Sequence, residues 1–436
     1  MQNWPQLTKQ QQAQLLSRPA LADSQTLSDT VAAIIQQVKQ QGDAALLALT
    51  ERFDGAKLHD LRFNDDAVGS FASELKPEVK WAIDQAYANI QAFHQAQFPE
   101  DVLVETTPGV TCELKHTPLA SVGLYIPGGT VPLPSTVLML GATAQVAGCA
   151  RKVLCTPPNK NGQIAVEIRY AASLCGIDEI YLVGGAQAIA ALALGTPSIP
   201  KVDKIFGPGN SYVTEAKQQV SRIPAGPAID MPAGPSEVLV IADQQANPVF
   251  VAADLLSQAE HGADSQAVLV SNSSDLIAEV KQQISSQLAN LSRKDIAEQA
   301  VKNSRYILTD TLELAFEVSN KYAPEHLIVQ IENARESLDK LTNAGSLFVG
   351  QWSPESAGDS ASGTHHVLPT YGYARNYSSL GVADFMRRYT VQELNYQGLQ
   401  NIGNAIMDLA DAEGLDAHKQ AVKLRLDAKQ TQSKMS

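Results

Sequence analysis

The run Asp254-Leu-Leu-Ser-Gln-Ala-Glu-His-Gly262 places a carboxylate, an amide and an imidazole at i, i+4 and i+7. On a helix those three side chains share one face. The spacing of Val249, Ala252, Ala253, Leu256 and Ala259 predicts such a helix, and Gly262 stands where its C-terminus belongs. A face carrying Asp254, Gln258 and His261 can hold a divalent metal. It can equally be a solvated polar face, and the helix alone favours that reading. As ligands, Asp254 and Gln258 both stay open on spacing.

Other segments carry chemistry of related kinds. Pro324-Glu-His326 precedes the apolar run Leu327–Gln330, so Glu325 and His326 sit at the mouth of a predicted strand and suit general acid–base work. Trp352-Ser-Pro-Glu-Ser-Ala-Gly-Asp359 continues to His365 and His366, in a stretch expected to be a long polar loop. Glu413 and His418 lie where two tail helices meet. Of eight histidines, five (His261, His326, His365, His366, His418) fall in these polar segments, which favours a metal site with an acid–base residue.

Three glycine turns, Tyr125-Ile-Pro-Gly-Gly129, Val183-Gly-Gly-Ala-Gln187 and Phe206-Gly-Pro-Gly-Asn210, each follow a predicted strand. At the carboxyl edge of a parallel sheet such turns admit a phosphate. Tyr212 occupies the third glycine position of the dinucleotide fingerprint, so any nucleotide site here is non-standard.

The elements that must position these residues are legible as a rhythm. The first 100 residues read as helices, at Ser28–Gln41, Asp43–Arg52 and 77–97. From Val122 short apolar strands alternate with helices, and a second alternating series starts near Val238. This is the pattern of parallel sheets wrapped by helices. After the Gly/Ser/Pro-rich loop, helices are expected at 383–394, 399–412 and 417–428. That tail is too polar to form its own core and should pack on another subunit.

Composition bounds the rest. With 436 residues, two or more domains are expected. The net charge of −13 argues against a nucleic-acid partner. Residues 117–150 hold no charged side chain, yet their prolines and glycines preclude a membrane span. Cys112, Cys149, Cys155 and Cys175 form no CxxC pair and read as free thiols. The N-terminus shows no secretory signal, so a cytoplasmic location is expected.

Taken together, Ser257–Gly262, Ala323–Leu327, Phe206–Asn210, Asp230–Glu237 and Trp352–Asp359 resemble the histidinol dehydrogenase family. The resemblance covers essentially the whole chain. It implies an α/β protein with two Rossmann-like domains, a small N-terminal helical segment and a C-terminal helical tail. The implied division is 1–25 for the N-terminal segment, 26–120 plus 236–378 for the zinc-bearing catalytic domain, 121–235 for the NAD domain, and 379–436 for a tail swapped within a homodimer. The implied reaction takes L-histidinol through an aldehyde to L-histidine and reduces two NAD. By resemblance, one zinc per subunit is held by Gln258, His261, Asp359 and His418. Glu325 activates water and His326 is the general base. Ser236, His366 and Glu413 contact substrate, and Tyr125, Gln187 and Asn210 contact NAD. His418 and Glu413 would complete the neighbouring subunit's site. His365 departs from the Asn more usual there and gains no implied role. The competing readings are a zinc-dependent hydrolase using Glu325 and a bound water with no nucleotide, and a non-catalytic metabolite-binding protein.

Overall fold

Strand Glu237–Ala242 (EVLVIA) is buried at every position, as are Gln266–Ser271 and His326–Gln330. Continuous apolar runs of this kind mark a parallel sheet covered on both faces. The computed structural model describes residues 1–18, 24–63, 73–128, 132–232 and 234–435. These fall into two compact units, residues 1–97 with 119–385, and residues 98–118 with 386–436.

The first unit contains two parallel sheets. The six-stranded sheet runs Gln2–Asn3, Arg305–Leu308, Gln266–Ser271, Glu237–Ala242, His326–Gln330, Ser346–Val349. The five-stranded sheet runs Glu179–Leu182, Arg151–Thr156, Ser121–Tyr125, Lys204–Phe206, Ala228–Ile229. Each sheet reverses its winding direction once. In the first sheet the reversal lies between Glu237–Ala242 and His326–Gln330; in the second it lies between Ser121–Tyr125 and Lys204–Phe206. The uncharged stretch resolves into strand Ser121–Tyr125 and the largely buried helix Pro134–Ala147. Among the described residues no helix is long and apolar enough to cross a membrane.

The helix holding Asp254 spans Pro248–Ala259, started by Asn247, whose Oδ1 accepts from the Val249 N–H at 2.9 Å. It follows strand Glu237–Ala242 and returns antiparallel to it, which brings its C-terminus to the amino ends of the strands. His261 lies just beyond the helix, in a closing turn whose N–H reaches the Gln258 carbonyl at 3.2 Å. The shared helical face therefore holds for Asp254 and Gln258, while His261 is aimed by the turn.

The second unit corrects one expectation. Residues 383–394 do not form a helix. A 3-10 turn at Val382–Phe385, in the first unit, gives way to strand Met386–Leu394, which pairs antiparallel with Val110–Pro118. Val102–Thr107 completes this three-stranded sheet. Tyr389, Thr390 and Val391 are strand formers, and the pairing partner satisfies their backbone groups. The rest of the tail is helical, at Tyr396–Ala412 and Asp416–Met435. A Cβ on Gly403 would meet Leu426 at 3.1 Å, so these two helices pack closely. The long loop after Trp352 also contains a short helix, Glu355–Ser360.

Candidate active site and cofactor pocket

Helix Leu312–Tyr322 stops at Ala323, whose φ of 54° is left-handed without a glycine. Pro324 then forces the chain into the extended entry of the next strand. Glu325 and His326 follow at once, at the amino end of the six-stranded sheet, 5% and 3% exposed. The backbone of one residue, Glu237, meets them both. The Glu237 N–H donates to Glu325 Oε2 at 2.8 Å, and the Glu237 carbonyl lies 3.2 Å from His326 Nδ1. Burial pushes the Glu325 carboxyl up to about 8, against the pull of His326. Burial opposes charge on His326, but Glu355, Glu325 and Asp359 outweigh it and hold that imidazole well above its ordinary value.

Beside this pair, His326 Nε2 is 3.4 Å from Asp359 Oδ1, and His261 Nε2 is 4.0 Å from Asp359 Oδ2. Ligand atoms of His261, Glu355 and Asp359 all lie within 4.8 Å of one another. Gln258 is fully buried, and neither its Oε1 nor its Nε2 has a hydrogen-bond partner. Both Glu355 oxygens are likewise buried and unpartnered. Leaving such groups unmade costs roughly 1–3 kcal/mol each. No lysine or arginine forms an ion pair with Asp254, Glu325, Glu355 or Asp359 among the described residues. Orphaned oxygens, an available imidazole and an excess of carboxylates together fit a divalent cation. Asp254 is turned away from this role: it accepts from Gln330 Nε2 at 2.7 Å, and burial pushes its carboxyl up to about 7.

A cavity of about 1210 Å³ opens at the carboxyl edge of the five-stranded sheet, at its switch point. Tyr125, Gln187 and Asn210 line it. Tyr125 Oη accepts the Gly185 N–H at 3.1 Å, at the start of helix Gly185–Leu194. Asn210 begins helix Ser211–Ser221, its Oδ1 accepting from Val213 N–H at 3.1 Å. Two helix N-termini and three glycine turns thus face one cavity, which suits a phosphate-bearing ligand. Gly207, at φ 129°, packs so tightly on the Tyr125 carbonyl that a Cβ would collide with it. Asp230 accepts the Gly207 N–H at 2.9 Å and pairs with buried Lys217, which fixes that turn. Gly129 lies outside the described residues.

Asp54 also lines the cavity, and burial pushes its carboxyl up to about 6. The unfolded value is about 3.9. Because the folded value is the higher one, its contribution to stability is present below about pH 4 and lost as pH rises through about 6. Asp54→Asn is therefore expected to raise the unfolding midpoint at pH 7.5 and leave it unchanged at pH 4. Partial solvent screening limits the gain to about 1 kcal/mol. Parallel thermal melts check this, and an equal difference at both pH values would rule it out.

A profile of the histidinol dehydrogenase family matches residues 17–426. The chain belongs to the histidinol dehydrogenase family. The family's members are NAD-dependent oxidoreductases of histidine biosynthesis. Histidinol dehydrogenase of Colwellia psychrerythraea is 61% identical over 425 residues, covering 98% of each chain. That of Vibrio parahaemolyticus is 57% identical over 424 residues, covering 97% of each. The crystal structure of histidinol dehydrogenase from Elizabethkingia anophelis superposes with a TM-score of 0.93 at 49% identity, covering 97% of each chain. The two-sheet α/β architecture of this chain is thus that of a histidinol dehydrogenase.

Within this family member, Ser236 precedes Glu237 and is half-buried. His366 bridges the Asp359 backbone to helix Pro134–Ala147. Its Nδ1 lies 3.1 Å from the Asp359 carbonyl and its Nε2 3.1 Å from Thr136 Oγ1. Glu413 and His418 belong to the second unit, where both are exposed. His365 is a core residue: 3% exposed, with Nδ1 accepting the Val367 N–H at 3.0 Å, and held neutral by burial. The sequence reading missed Glu355, 1% exposed and 3.9 Å from His326 Nδ1, its carboxyl pushed up to about 8 by burial. Its i, i+4 spacing to Asp359 just after Pro354 was the signal that a short helix starts there.

Proposed function

We propose that the chain oxidises L-histidinol through L-histidinal to L-histidine with reduction of two NAD, using one zinc per subunit. The observation that carries this reading is the buried, unpartnered Gln258 in the turn that leads to His261, whose imidazole faces Asp359, which in turn faces His326. Zinc would be held by Gln258, His261, Asp359 and His418. When bound, it supplies the positive charge that this acidic cluster lacks. NAD would be held by Tyr125, Gln187 and Asn210, and when bound it takes up the hydride in each oxidation.

The chain's own residues handle the protons. With the charge of bound zinc offsetting the carboxylates that favour its protonated form, the His326 imidazole would be neutral, its Nδ1–H given to the Glu237 carbonyl and its Nε2 open to the alcohol proton. Glu325, held by the Glu237 N–H, takes a proton from the water that attacks the aldehyde carbon. Ser236, His366 and Glu413 orient substrate. The tail serves a second copy of the chain, so that Glu413 and His418 complete that copy's site. The four cysteines are free thiols, which supports a reducing, cytoplasmic setting.

Incubating zinc-loaded protein with histidinol and NAD is expected to form about two NADH per histidinol, because four electrons separate the alcohol from the acid. No NADH with zinc fully loaded would overturn the reading. The cavity of about 1210 Å³ favours it over a nucleotide-free zinc hydrolase.

A further inference from the structure

Arg18 follows helix Lys9–Leu15, which Thr8 and Gln11 cap reciprocally. Two residues near the chain start, Gln2–Asn3, add a strand to the six-stranded sheet, and Trp4 is buried against it. This arm delivers the Arg18 side chain, 10% exposed, to the amino ends of the catalytic strands. Its guanidinium grips Glu237 through both carboxylate oxygens, Nε to Oε2 at 2.6 Å and Nη2 to Oε1 at 2.8 Å. Nη2 also donates to the carbonyls of Tyr322 at 2.8 Å and Ala323 at 3.3 Å. Arg18 Cζ lies 4.0 Å from the Tyr322 ring centroid, and the Tyr322 hydroxyl is within hydrogen-bond distance of Glu237 Oε2 at 2.9 Å and Gln266 Oε1 at 2.6 Å.

Those contacts meet the two chain segments that present Glu325 and His326. Glu237 supplies the backbone N–H and the carbonyl that meet the two side chains. Tyr322 and Ala323 end the preceding helix in the left-handed turn from which Glu325 emerges. Stability alone gives little reason for such a pair. A buried ion pair replaced by well-packed apolar residues is often as stable or more so. A bidentate fork, by contrast, fixes orientation.

We propose that Arg18 is a positioning residue for the catalytic pair: through Glu237 and the Ala323 turn it sets the placement of the Glu325 carboxylate and the proton on His326 Nδ1. This rests on the reading of Glu325 and His326 as the proton-handling pair. Residues at this remove from the chemistry change activity by roughly 10–100-fold. In zinc-loaded protein, Arg18→Ala is expected to lower kcat for both histidinol and histidinal by about that factor. The KM for NAD and the zinc content should stay at parental values, and millimolar guanidinium should restore part of the rate. Arg18→Lys keeps the charge but lacks the fork. It should fold and still lose kcat, and it carries the test if Arg18→Ala does not fold. Parental kcat in either folded variant overturns the proposal. So does a loss that only tracks lost zinc or lost folded protein, with no guanidinium rescue. If His326→Asn and Glu325→Gln also left turnover intact, the failure would lie in the acid–base reading instead.

Discussion

His326→Asn is expected to slow NADH formation from histidinol by two to four orders of magnitude, roughly the worth of a positioned acid–base group. Asn is smaller than His, but its amide nitrogen stands near the place of Nδ1 and can donate to the Glu237 carbonyl, so the fold should survive. It has no lone pair on nitrogen to replace Nε2. Glu325→Gln should behave differently. Gln keeps an oxygen for the Glu237 N–H but cannot accept a proton from water. Histidinol should then pass its first oxidation with little change, while supplied histidinal is oxidised about 10²–10⁴-fold more slowly. Rapid-mixing assays with histidinol and with histidinal separate the two steps. Oxidation of histidinal by Glu325→Gln at the parental rate would remove Glu325 from water activation.

Stripping the metal should have an effect as large. The charge stabilisation from a catalytic cation is worth several kcal/mol, on the order of a thousandfold in rate. Dialysis against a chelator is expected to abolish turnover and added zinc to restore it. NAD should still occupy its separate pocket at the other sheet. Gln258→Ala, His261→Ala and Asp359→Ala should each lower zinc content in elemental analysis and the zinc-dependent gain in melting temperature. Glu355 sits among the same atoms, within 4.8 Å of His261 and Asp359. Full retention of zinc by Gln258→Ala, with loss in a Glu355→Gln protein, would move the ligand role from Gln258 to Glu355.

The central strands of the two parallel sheets were legible because they are built on apolar runs, whereas the two-residue edge strands Gln2–Asn3 and Ala228–Ile229 carry no such signal. Glu237–Ala242 and Gln266–Ser271 are buried at every position, so a run of Val, Leu and Ile announces them. The antiparallel sheet of the second unit was not. Five of the six residues in Val102–Thr107 are exposed, and Met386–Leu394 is largely exposed and mixed in polarity. Neither segment has a buried face that would impress a period of two on its sequence. Spacing around Gln258 and His261 raised a metal site but left Asp254 open. Only the tertiary partner Gln330 shows why Asp254 is occupied elsewhere. Arg18 and Glu237 are 219 positions apart, and no local pattern joins them. Glu355 was hidden for a different reason. It lies in a Gly/Ser/Pro-rich stretch whose composition suggests a loop, and a single helical turn there is too short to show periodicity.

The Glu237 backbone, whose N–H meets the Glu325 carboxylate and whose carbonyl meets the His326 imidazole, has a bearing on redesign. On the proposed reading both oxidations draw on this one residue, so their rates are not independent parameters of the sequence. A substitution that tilts it to favour alcohol oxidation would also move the carboxylate proposed for the aldehyde step. Turning this scaffold into a dehydrogenase that stops at the aldehyde is therefore better attempted by altering the Glu325 side chain itself than by reshaping the backbone that carries it.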